Sequence, residues 1–557
     1  MLKTFLDPRF DIRRWFPPRY WVFAACLLLA ALAVHAAVSY SPRWYWAAVP
    51  FVLLSALGLW DLLGSANTVS RNYPVLARMR YLLESIGPQI RQYFIEADTD
   101  PRPFSREQRD LVYQRSTDTL DLRPFGTLHD VYGESYEWIN HSAFPSRIDA
   151  HDFRVEVGAG RALPYSASVF NISAMSFGAI SPNAIRALNA GARRGNFYHD
   201  TGEGSISSYH REHGGDLVWE IGSGYFGCRN DDGSFSEERF QANARGDQVR
   251  MIELKLSQGA KPGHGGVLPG AKVNAEIAAA RGVPVGRDVV SPARHGAFST
   301  PVELLQFVER LRGLSGGKPT GFKLAIGHPW EWFGIAKAMH ETGLLPDFIV
   351  VDGAEGGTGA APMEFVNRVG TPMREALMLV HTTLVGLGLR DRVRVAAAGK
   401  IISAFDLARI LAMGADWCNA ARGYMFALGC IQAQKCHTDR CPSGVATQDP
   451  RRWRSLDVAD KATRVHRYHQ ATLRELRDLL AAAGLEHPCQ LGPEHILRRV
   501  TPTEIRSLAT TYRFLDPGEL LAHVPEHAVF QDFWAVARAD SFDAPLQVRS
   551  LRSSKLR

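Results

Sequence analysis

The chain has 557 residues, of which 46% are hydrophobic and 22% are charged. This composition is that of a globular protein and excludes a disordered or collagen-like chain. Seven cysteines in so long a chain also exclude a disulfide scaffold. The formal net charge of +7 is concentrated at the ends, because residues 1–20 carry +3 and residues 546–557 carry +4. The remainder is neutral in total, so we expect no basic nucleic-acid-binding face and no nucleic acid partner.

Two apolar runs near the N-terminus, about residues 21–39 and 44–64, are each long enough to nearly cross a bilayer. The first run alone is also typical of a cleaved signal peptide, but the second run directly after it favours a membrane hairpin over residues 1–65. Basic residues flank the outer ends of both runs. The positive-inside rule therefore predicts a bacterial-type inner (cytoplasmic) membrane protein whose catalytic domain faces the cytoplasm.

The remaining chain divides into a connector, a βα-alternating region and a C-terminal part. Residues 66–160 read as an irregular connector with some helix, and residues 451–557 as a helical extension with a basic tail. Between them, over residues 161–450, short apolar runs alternate with helical patterns, which predicts an α/β fold of the (β/α)8 TIM barrel type. A long insertion, about residues 201–250, separates the second and third candidate strands. The eight candidate strands are residues 169–174, 196–200, 251–256, 288–291, 321–326, 347–352, 393–398 and 416–420.

Three of the predicted loops at strand ends are rich in glycine. Gly399 and Gly423 follow the seventh and eighth candidate strands. Either glycine alone is more typical of a plain turn, but together they favour a phosphate site, because these two loops commonly bind phosphate in barrels. The loop after Asp352 has four glycines in seven positions, which suits either a flexible linker or a backbone that approaches a flat ligand closely.

Lysines lie at two places where a barrel could use a fixed cation. Gln258 and Lys261 punctuate a rigid Gly/Pro loop after the strand at 251–256, and lysines at a barrel mouth can hold carboxylates or anionic cofactor atoms. Lys323 lies inside an apolar strand run. Such a lysine either extends outward to solvent or points into the barrel as a functional cation.

Three cysteines, Cys430, Cys436 and Cys441, are spaced C-x5-C-x4-C just after the eighth candidate strand. In a cytoplasmic protein such clustering favours a metal over a disulfide. Zinc with His437 as a fourth ligand is one alternative, although adjacent Cys436 and His437 are awkward for a single tetrahedral ion. Three thiolates followed by proline are typical of iron–sulfur ligation. The other four cysteines are isolated and are predicted to be small buried residues.

Taken together, these motifs resemble the FMN-binding, iron–sulfur synthase domain of glutamate synthase. The similarity covers about residues 165–450, and the whole chain resembles stand-alone, membrane-anchored members of that family, which lack its other domains. The segments that carry the resemblance are residues 173–181, 201–204, 258–263, 356–360, 388–393 and 430–448.

The resemblance implies that FMN binds in the barrel mouth, with its phosphate near Gly399 and Gly423 and with Lys323 beside the electron-rich side of its ring. It also implies a [3Fe-4S] cluster held by the three clustered cysteines, which passes electrons to the flavin. The other residues at matching cofactor-binding positions are Met175, Ser176, Gln258, Asp352, Gly356, Gly357 and Thr358.

The family's reaction is reductive amination of 2-oxoglutarate to glutamate, an oxidoreductase chemistry of the class acting on CH–NH2 donors. The matching substrate-binding residues are Glu203, Lys255, Lys261 and Arg281, and the implied catalytic residues are Lys323, Glu203 and Lys261. The electron donor stays open between ferredoxin and an NAD(P)H-dependent partner, because no dinucleotide-binding glycine fingerprint occurs in a strand-to-helix context.

The sequence departs from the family pattern at His264 and Val267, which replace an acid and an amide. No glutaminase domain precedes the barrel, so we expect free ammonia, a partner subunit or another amine to supply nitrogen. A membrane-tethered flavin and iron–sulfur electron-transfer protein without glutamate synthesis is therefore an alternative. An FMN-barrel 2-hydroxy-acid dehydrogenase is another, but residues 352–355 and 398–400 lack the histidine base and the arginine that its chemistry requires.

Overall fold

A computed structural model describes residues 16–64, 68–100 and 102–544, which fall into two compact units, Met1–Ala97 and Asp98–Arg557. The basic tail predicted at residues 546–557 lies outside the described residues. So do the basic side chains Lys3, Arg9, Arg13 and Arg14, on which part of the predicted membrane orientation rests.

The N-terminal unit consists of helices. Its two long helices are α1 (Trp21–Ser39) and α2 (Tyr45–Leu63), followed by α3 (Thr68–Asn72) and α4 (Leu76–Ile90), which continues as a π-helical turn, Arg91–Ile95. With short turns before them, α1 and α2 form two spans, Pro18–Ser39 and Pro42–Leu63, that are long and apolar enough to cross a membrane. The two helices pack closely, since a Cβ atom on Gly58 would lie 2.2 Å from Cδ2 of Phe23.

The second unit is built on a closed barrel of eight parallel strands, which confirms the predicted TIM barrel. The barrel consists of the strands β4 to β7 and β10 to β13. Each barrel strand pairs with the next barrel strand in chain order, so that β7 pairs with β10. The pairing of β13 with β4 closes the barrel. In chain order the strands are β1 (Glu137–Ile139), β2 (Arg154–Val157), β3 (Tyr165–Ser168), β4 (Phe170–Ile172), β5 (His199–Asp200), β6 (Leu217–Ile221), β7 (Val249–Lys255), β8 (Val267–Leu268), β9 (Val289–Val290), β10 (Thr320–Leu324), β11 (Phe348–Asp352), β12 (Arg394–Ala398), β13 (Trp417–Ala420), β14 (Ile496–Thr501) and β15 (Glu504–Ser507).

One predicted barrel strand is wrong and another was missed. Residues 288–291 do not join the barrel, because β9 pairs antiparallel with β8 outside it. The third barrel strand is β6, which lies inside the region predicted as an insertion. The prediction failed because Glu220 interrupts the apolar run of β6, although all five residues of this strand are buried. The predicted third strand at 251–256 is therefore part of the fourth strand, β7.

Helices surround the barrel and extend beyond it. The long helix α17 (Val458–Ala482) packs against α5 (Arg106–Thr117) and α6 (Pro182–Gly195). Its contact with α6 is close, since a Cβ on Gly191 would lie 2.5 Å from Cγ1 of Val465. The C-terminal part is not only helical, since β14 and β15 form an antiparallel sheet with β1. In chain order these helices are α5 (Arg106–Thr117), α6 (Pro182–Gly195), α7 (Ser208–Arg211), α8 (Glu237–Ala244), α9 (Ala275–Arg281), α10 (Pro301–Leu314), α11 (Pro329–Thr342), α12 (Met363–Arg368), α13 (Met373–Gly386), α14 (Ala404–Ala412), α15 (Arg422–Ala427), α16 (Pro450–Trp453), α17 (Val458–Ala482), α18 (Leu508–Thr511), α19 (Glu519–Ala522) and α20 (Ala528–Phe533).

A buried ion pair closes the end of the barrel at which the strands begin. Asp347 lies just before β11 and accepts hydrogen bonds from Nε of Arg312, from Nε of Arg161 and from the backbone N–H of Thr320, each at 2.8 Å. The Arg312 side chain is 4% exposed and that of Arg161 is 39% exposed. Only the first pair is therefore well shielded from water.

We expect Asp347→Ala to lower the free energy of unfolding by about 3 kcal/mol, because it removes the buried partner of Arg312 and leaves that guanidinium only the half-exposed Glu309. The control Arg161→Ala removes a half-exposed partner of the same carboxylate and should cost about 1 kcal/mol or less. Guanidinium unfolding of the full chain in detergent, followed by circular dichroism, measures both. Equal losses in the two variants would contradict this assignment.

Candidate active site

The barrel interior contains a buried lysine between two glutamates. Nζ of Lys323, on β10, pairs with the carboxylate of Glu220 on β6 and lies 3.1 Å from Oε1 of Glu253 on β7. The three side chains are 5%, 1% and 2% exposed, respectively. Lys323 therefore points into the barrel, which excludes the interpretation in which it extends to solvent.

Asp200, at the end of β5, joins these glutamates to form a trio of buried acids. One carboxylate oxygen from each of Asp200, Glu220 and Glu253 lies within 4.8 Å of the others. Burial raises the pKa of Asp200, although the charge of Lys323 opposes this. Burial and then the neighbouring Asp200 raise the pKa of Glu253. Two adjacent carboxyl groups with raised pKa values favour a state in which they share a proton.

Sequence reasoning missed this acidic trio. The signal was present, because Glu220 and Glu253 each lie inside an apolar strand run. This is the same pattern that singled out Lys323.

The four residues that match the family's substrate site come together at the mouth of the barrel. Nζ of Lys255 lies 3.2 Å from Oε2 of Glu203 and donates a hydrogen bond to Oε1 of Gln258 at 2.6 Å. Burial acts to raise the pKa of Glu203, but the charges of Lys255, Lys261 and Arg281 outweigh burial and hold it below its usual value. Three cations therefore surround one ionised carboxylate, which leaves an excess of positive charge.

Two of these cations are buried with few partners. Nη2 of Arg281 donates to the backbone oxygen of Phe177 at 2.8 Å, and its guanidinium lies 5.0 Å from the ring centroid of Phe226. Its Nε has no hydrogen-bond partner among the described residues. Burial lowers the pKa of Arg281 to about 10 and also lowers that of Lys261. Buried donors of this kind fit an anionic ligand.

A cleft opens beside these charges, and one of the two departures from the family pattern lines it. Nδ1 of His264 lies 2.8 Å from the backbone oxygen of Gly265, and its ring meets Phe365 edge to face. Val267 is not among the lining residues; it is 42% exposed on the short strand β8. The lining residues are Glu203, Ser223, Lys255, Leu256, Ser257, Gln258, Lys261, Gly263, His264, Gly265, Gly266, Pro292 and Ala293.

The loops after β7 and β11 meet across the barrel rim. Asp352 accepts a hydrogen bond from the backbone N–H of Gly259 at 2.9 Å, and Nε2 of Gln258 lies 3.5 Å from Oγ1 of Thr358. Burial raises the pKa of Asp352. Arg422, which sequence reasoning also missed, donates from Nη2 to the backbone oxygen of Thr358 at 2.9 Å.

Glycine is required where these loops approach each other. A Cβ on Gly259 would lie 1.8 Å from the backbone oxygen of Gly353, and one on Gly357 would lie 2.6 Å from Nε of Arg422. A Cβ on Gly356 would lie 3.2 Å from Oδ1 of Asp352, so this glycine is also at the rim. A side chain at Gly259 would force the loops apart, whereas one at Gly357 would displace the Arg422 side chain.

The remaining predicted cofactor residues lie at strand ends on the same side of the barrel. Met175 and Ser176 follow β4, and a Cβ on Gly202 would lie 2.6 Å from the backbone nitrogen of Ser176. Gly399 follows β12 and Gly423 lies in α15 directly after β13. These two strands are paired in register up to Ala398 and Asn419, so the two glycine loops are neighbours.

The three clustered cysteines lie in the loop between α15 and α16. Cys430 and Cys441 are buried and Cys436 is half-buried. Burial raises the pKa of the Cys430 thiol to about 11, and the thiols of Cys436 and Cys441 act in the same direction. Nζ of Lys272 donates to the backbone oxygen of Cys436 at 3.0 Å.

The cysteine sulfurs are spread more widely than the acidic trio. In the acidic trio of the barrel, one ligand atom from each residue lies within 4.8 Å of the others. Among the described residues, the three clustered cysteines do not meet this criterion. Thiolates on one tetrahedral zinc ion lie about 3.8 Å apart, as follows from a Zn–S bond of about 2.3 Å. The spacing of the sulfurs is thus wider than a single zinc ion requires.

Comparison with known proteins matches the barrel to one family. A family model described as "Conserved region in glutamate synthase" matches residues 155–486. The chain is 37% identical to the "Glutamate synthase large subunit-like protein YerD" of Bacillus subtilis, over 81% of this chain and 94% of that protein. It is 35% identical to the "Archaeal glutamate synthase [NADPH]" of Methanocaldococcus jannaschii, over 56% of this chain and 58% of that protein.

Among solved structures, a mutant flavocytochrome b2 with pyruvate bound aligns with 81% of this chain and 91% of its own, at 12% identity and a TM-score of 0.39. A likeness this low carries no argument. The family match covers more than half of the chain, and the identity to YerD extends over nearly the whole of that protein. The chain therefore belongs to the glutamate synthase family.

Proposed function

We propose that this protein is a membrane-anchored, FMN- and iron–sulfur-dependent oxidoreductase that reductively aminates 2-oxoglutarate, or a related 2-oxo acid, with ammonia or another amine. The observation that carries the proposal is the cleft at the barrel mouth, which Lys255, Lys261 and Glu203 line, with the positive charge of the buried Arg281 acting on the same carboxylate. An excess of fixed positive charge in a mostly buried site suits a dicarboxylate better than a neutral substrate.

The residues at the barrel rim fit FMN by their chemistry. Lys323 supplies a buried cation inside the barrel, and the glycine-rich loop after Asp352 leaves backbone groups free of side chains. Gly399 and Gly423, on neighbouring loops, would hold the phosphate. The remaining ring contacts would come from Met175, Ser176, Gln258, Asp352, Gly356, Gly357 and Thr358. When bound, FMN supplies the hydride that reduces the substrate.

The protein's own groups would orient the substrate and hold a proton. Lys261 would bind one of its carboxylates, and Lys255 would exchange part of its contact with Glu203 for the ligand. The buried Arg281, which does not line the cleft, would add positive charge close to it. Asp200 and Glu253, whose raised pKa values favour a shared proton, lie within the same charged network, which Lys323 joins. These residues would keep the electrostatic balance of the site when an anionic ligand enters it.

The cysteine loop fits an iron–sulfur cluster by its donor set. Cys430, Cys436 and Cys441 supply three thiols, and three thiolates followed by proline are typical of iron–sulfur ligation. Such a cluster would deliver electrons from ferredoxin or from an NAD(P)H-dependent partner. The two apolar spans, Pro18–Ser39 and Pro42–Leu63, support anchoring to the cytoplasmic membrane with the barrel in the cytoplasm.

Stopped-flow absorbance tests the reaction directly. The purified protein is reduced anaerobically and then mixed with 2-oxoglutarate and ammonium. We expect the flavin to be reoxidised only when both are present, with glutamate formed in equal amount. A protein that only transfers electrons would leave the flavin reduced, and a 2-hydroxy-acid dehydrogenase would instead be reduced by lactate or a related acid.

The substitution Lys261→Met removes one cation from the cleft but retains the length of the side chain. We expect the KM for 2-oxoglutarate to rise about 10- to 100-fold, because a hydrogen bond to a charged group contributes roughly 1.5–3 kcal/mol. Steady-state kinetics at saturating ammonium measure this change. The matched control is Lys461→Met. Lys461 lies on α17, pairs with Asp460 and is distant in sequence from the residues that line the cleft. An unchanged KM in Lys261→Met would refute the substrate site.

The substitution Cys436→Ser tests the cluster. We expect it to lower iron and acid-labile sulfide per chain to a small fraction of the wild-type content, while FMN is retained. The control Cys489→Ser changes an exposed cysteine outside the cluster loop and should leave iron unchanged. Stoichiometric zinc in the wild-type protein, without sulfide, would contradict the proposal.

A further inference from the structure

Helix α4, which follows α3 after the apolar hairpin, has an apolar face that is exposed among the described residues. Leu76, Met79, Leu83, Ile86 and Ile90 recur at intervals of three and four residues, which places them on one side of an α-helix. Leu82 widens the same face. These six side chains are each between 37% and 59% exposed, and Ala77 is the buried residue of the helix. A helix packed into a protein core would bury this face instead.

The position of α4 relative to the hairpin is set by one buried carboxylate. Asp61 lies in the last turn of α2 and is completely buried. It accepts hydrogen bonds from Nη2 and Nε of Arg78 at 2.7 and 3.1 Å, and from the backbone N–H of Val75 at 3.1 Å. The first turn of α4 is therefore attached to the end of the second apolar span. In a bilayer, the end of a span lies at the level of the lipid headgroups.

The charges of α4 suit the same location. At about 100° per residue, the six apolar side chains cover an arc of about 120°, and Arg80 and Arg91 lie just beyond one edge of it. Arg80 also pairs with Glu84 at 2.7 Å, and both of these side chains are more than half exposed, so this pair is open to exchange with a headgroup. Basic residues beside an apolar face are typical of helices that lie in the plane of a membrane surface and contact anionic headgroups. An arc this wide also exceeds the narrow seam of a two-stranded coiled coil.

We propose that α4 lies along the cytoplasmic surface of the membrane, with Leu76, Met79, Leu82, Leu83, Ile86 and Ile90 inserted among the acyl chains and with Arg80 and Arg91 at anionic lipid headgroups. This inference rests on the membrane anchoring proposed above and adds a second contact to it. The helix would fix the point at which the chain leaves the bilayer.

Spin labels on single cysteines in the full chain test this placement in bilayer nanodiscs of phosphatidylcholine and phosphatidylglycerol. The labels are introduced by Ile86→Cys and Met79→Cys on the apolar face, and by Ser85→Cys outside it. All variants carry Cys489→Ser, which removes the exposed native cysteine. We expect lipid-soluble oxygen to relax the labels at 79 and 86 severalfold more, relative to a water-soluble nickel chelate, than the label at 85.

Other occupants of the face give other results, each of which would overturn the proposal. Contact with a second copy would shield the labels at 79 and 86 from both reagents and broaden their spectra, and dilution with unlabelled protein would remove the broadening. Contact with the rest of the same chain would shield them without such broadening. A face in water would make all three labels equally accessible to the nickel chelate.

A label at Leu28→Cys, on the exposed side of α1, separates failure of this inference from failure of the anchor. If that label lies in lipid and the label at 86 does not, only the placement of α4 is wrong. If neither lies in lipid, the membrane hairpin itself is refuted.

Discussion

The rest of the active-site region depends on the pairing of charges inside the barrel. A lysine removed from water is costly unless acids balance it, and Lys323 has Glu220 and Glu253 beside it. These three residues come from β10, β6 and β7, which are neighbours in the barrel, so the ion pairs also connect adjacent strands. Acids outnumber lysines here, and burial raises the pKa values of Asp200 and Glu253, which favours protonation of the excess carboxylates.

Lys255 connects this interior network to the cleft. Its Nζ lies 3.2 Å from Glu203 at the rim and 3.8 Å from Glu220 in the interior. Positive charge is in excess at the rim, whereas in the interior Lys323 and the raised pKa values of Asp200 and Glu253 favour a balanced charge. An anionic ligand would therefore be attracted to the rim and not to the interior beneath it. This arrangement restricts such a ligand to the mouth of the barrel, where the loops after β7 and β11 meet.

The sequence was sufficient for the barrel fold but not for its interior. Alternating βα patterns predicted the fold, and the family resemblance implied Glu203 and the cations, which the structure brings close together. The strand β6 was missed because its glutamate interrupts an apolar run, and a charged side chain in a strand is normally read as exposed. Arg422 was missed because its role depends on contact with the loop at Thr358, far away in sequence. Pairing of this kind is visible only after the strands are placed in order.

The two departures from the family pattern differ in their consequences. Val267 is 42% exposed on a short strand beside the barrel and does not line the cleft, so its exchange alters a surface more than a binding site. His264 does line the cleft, close to the rim that Glu203 shares with three cations. A histidine carries no negative charge where an acid would carry one, so the cleft is more positive than the family pattern implies. A more positive cleft would favour the dicarboxylate substrate proposed above, and the question of substrate identity therefore centres on His264.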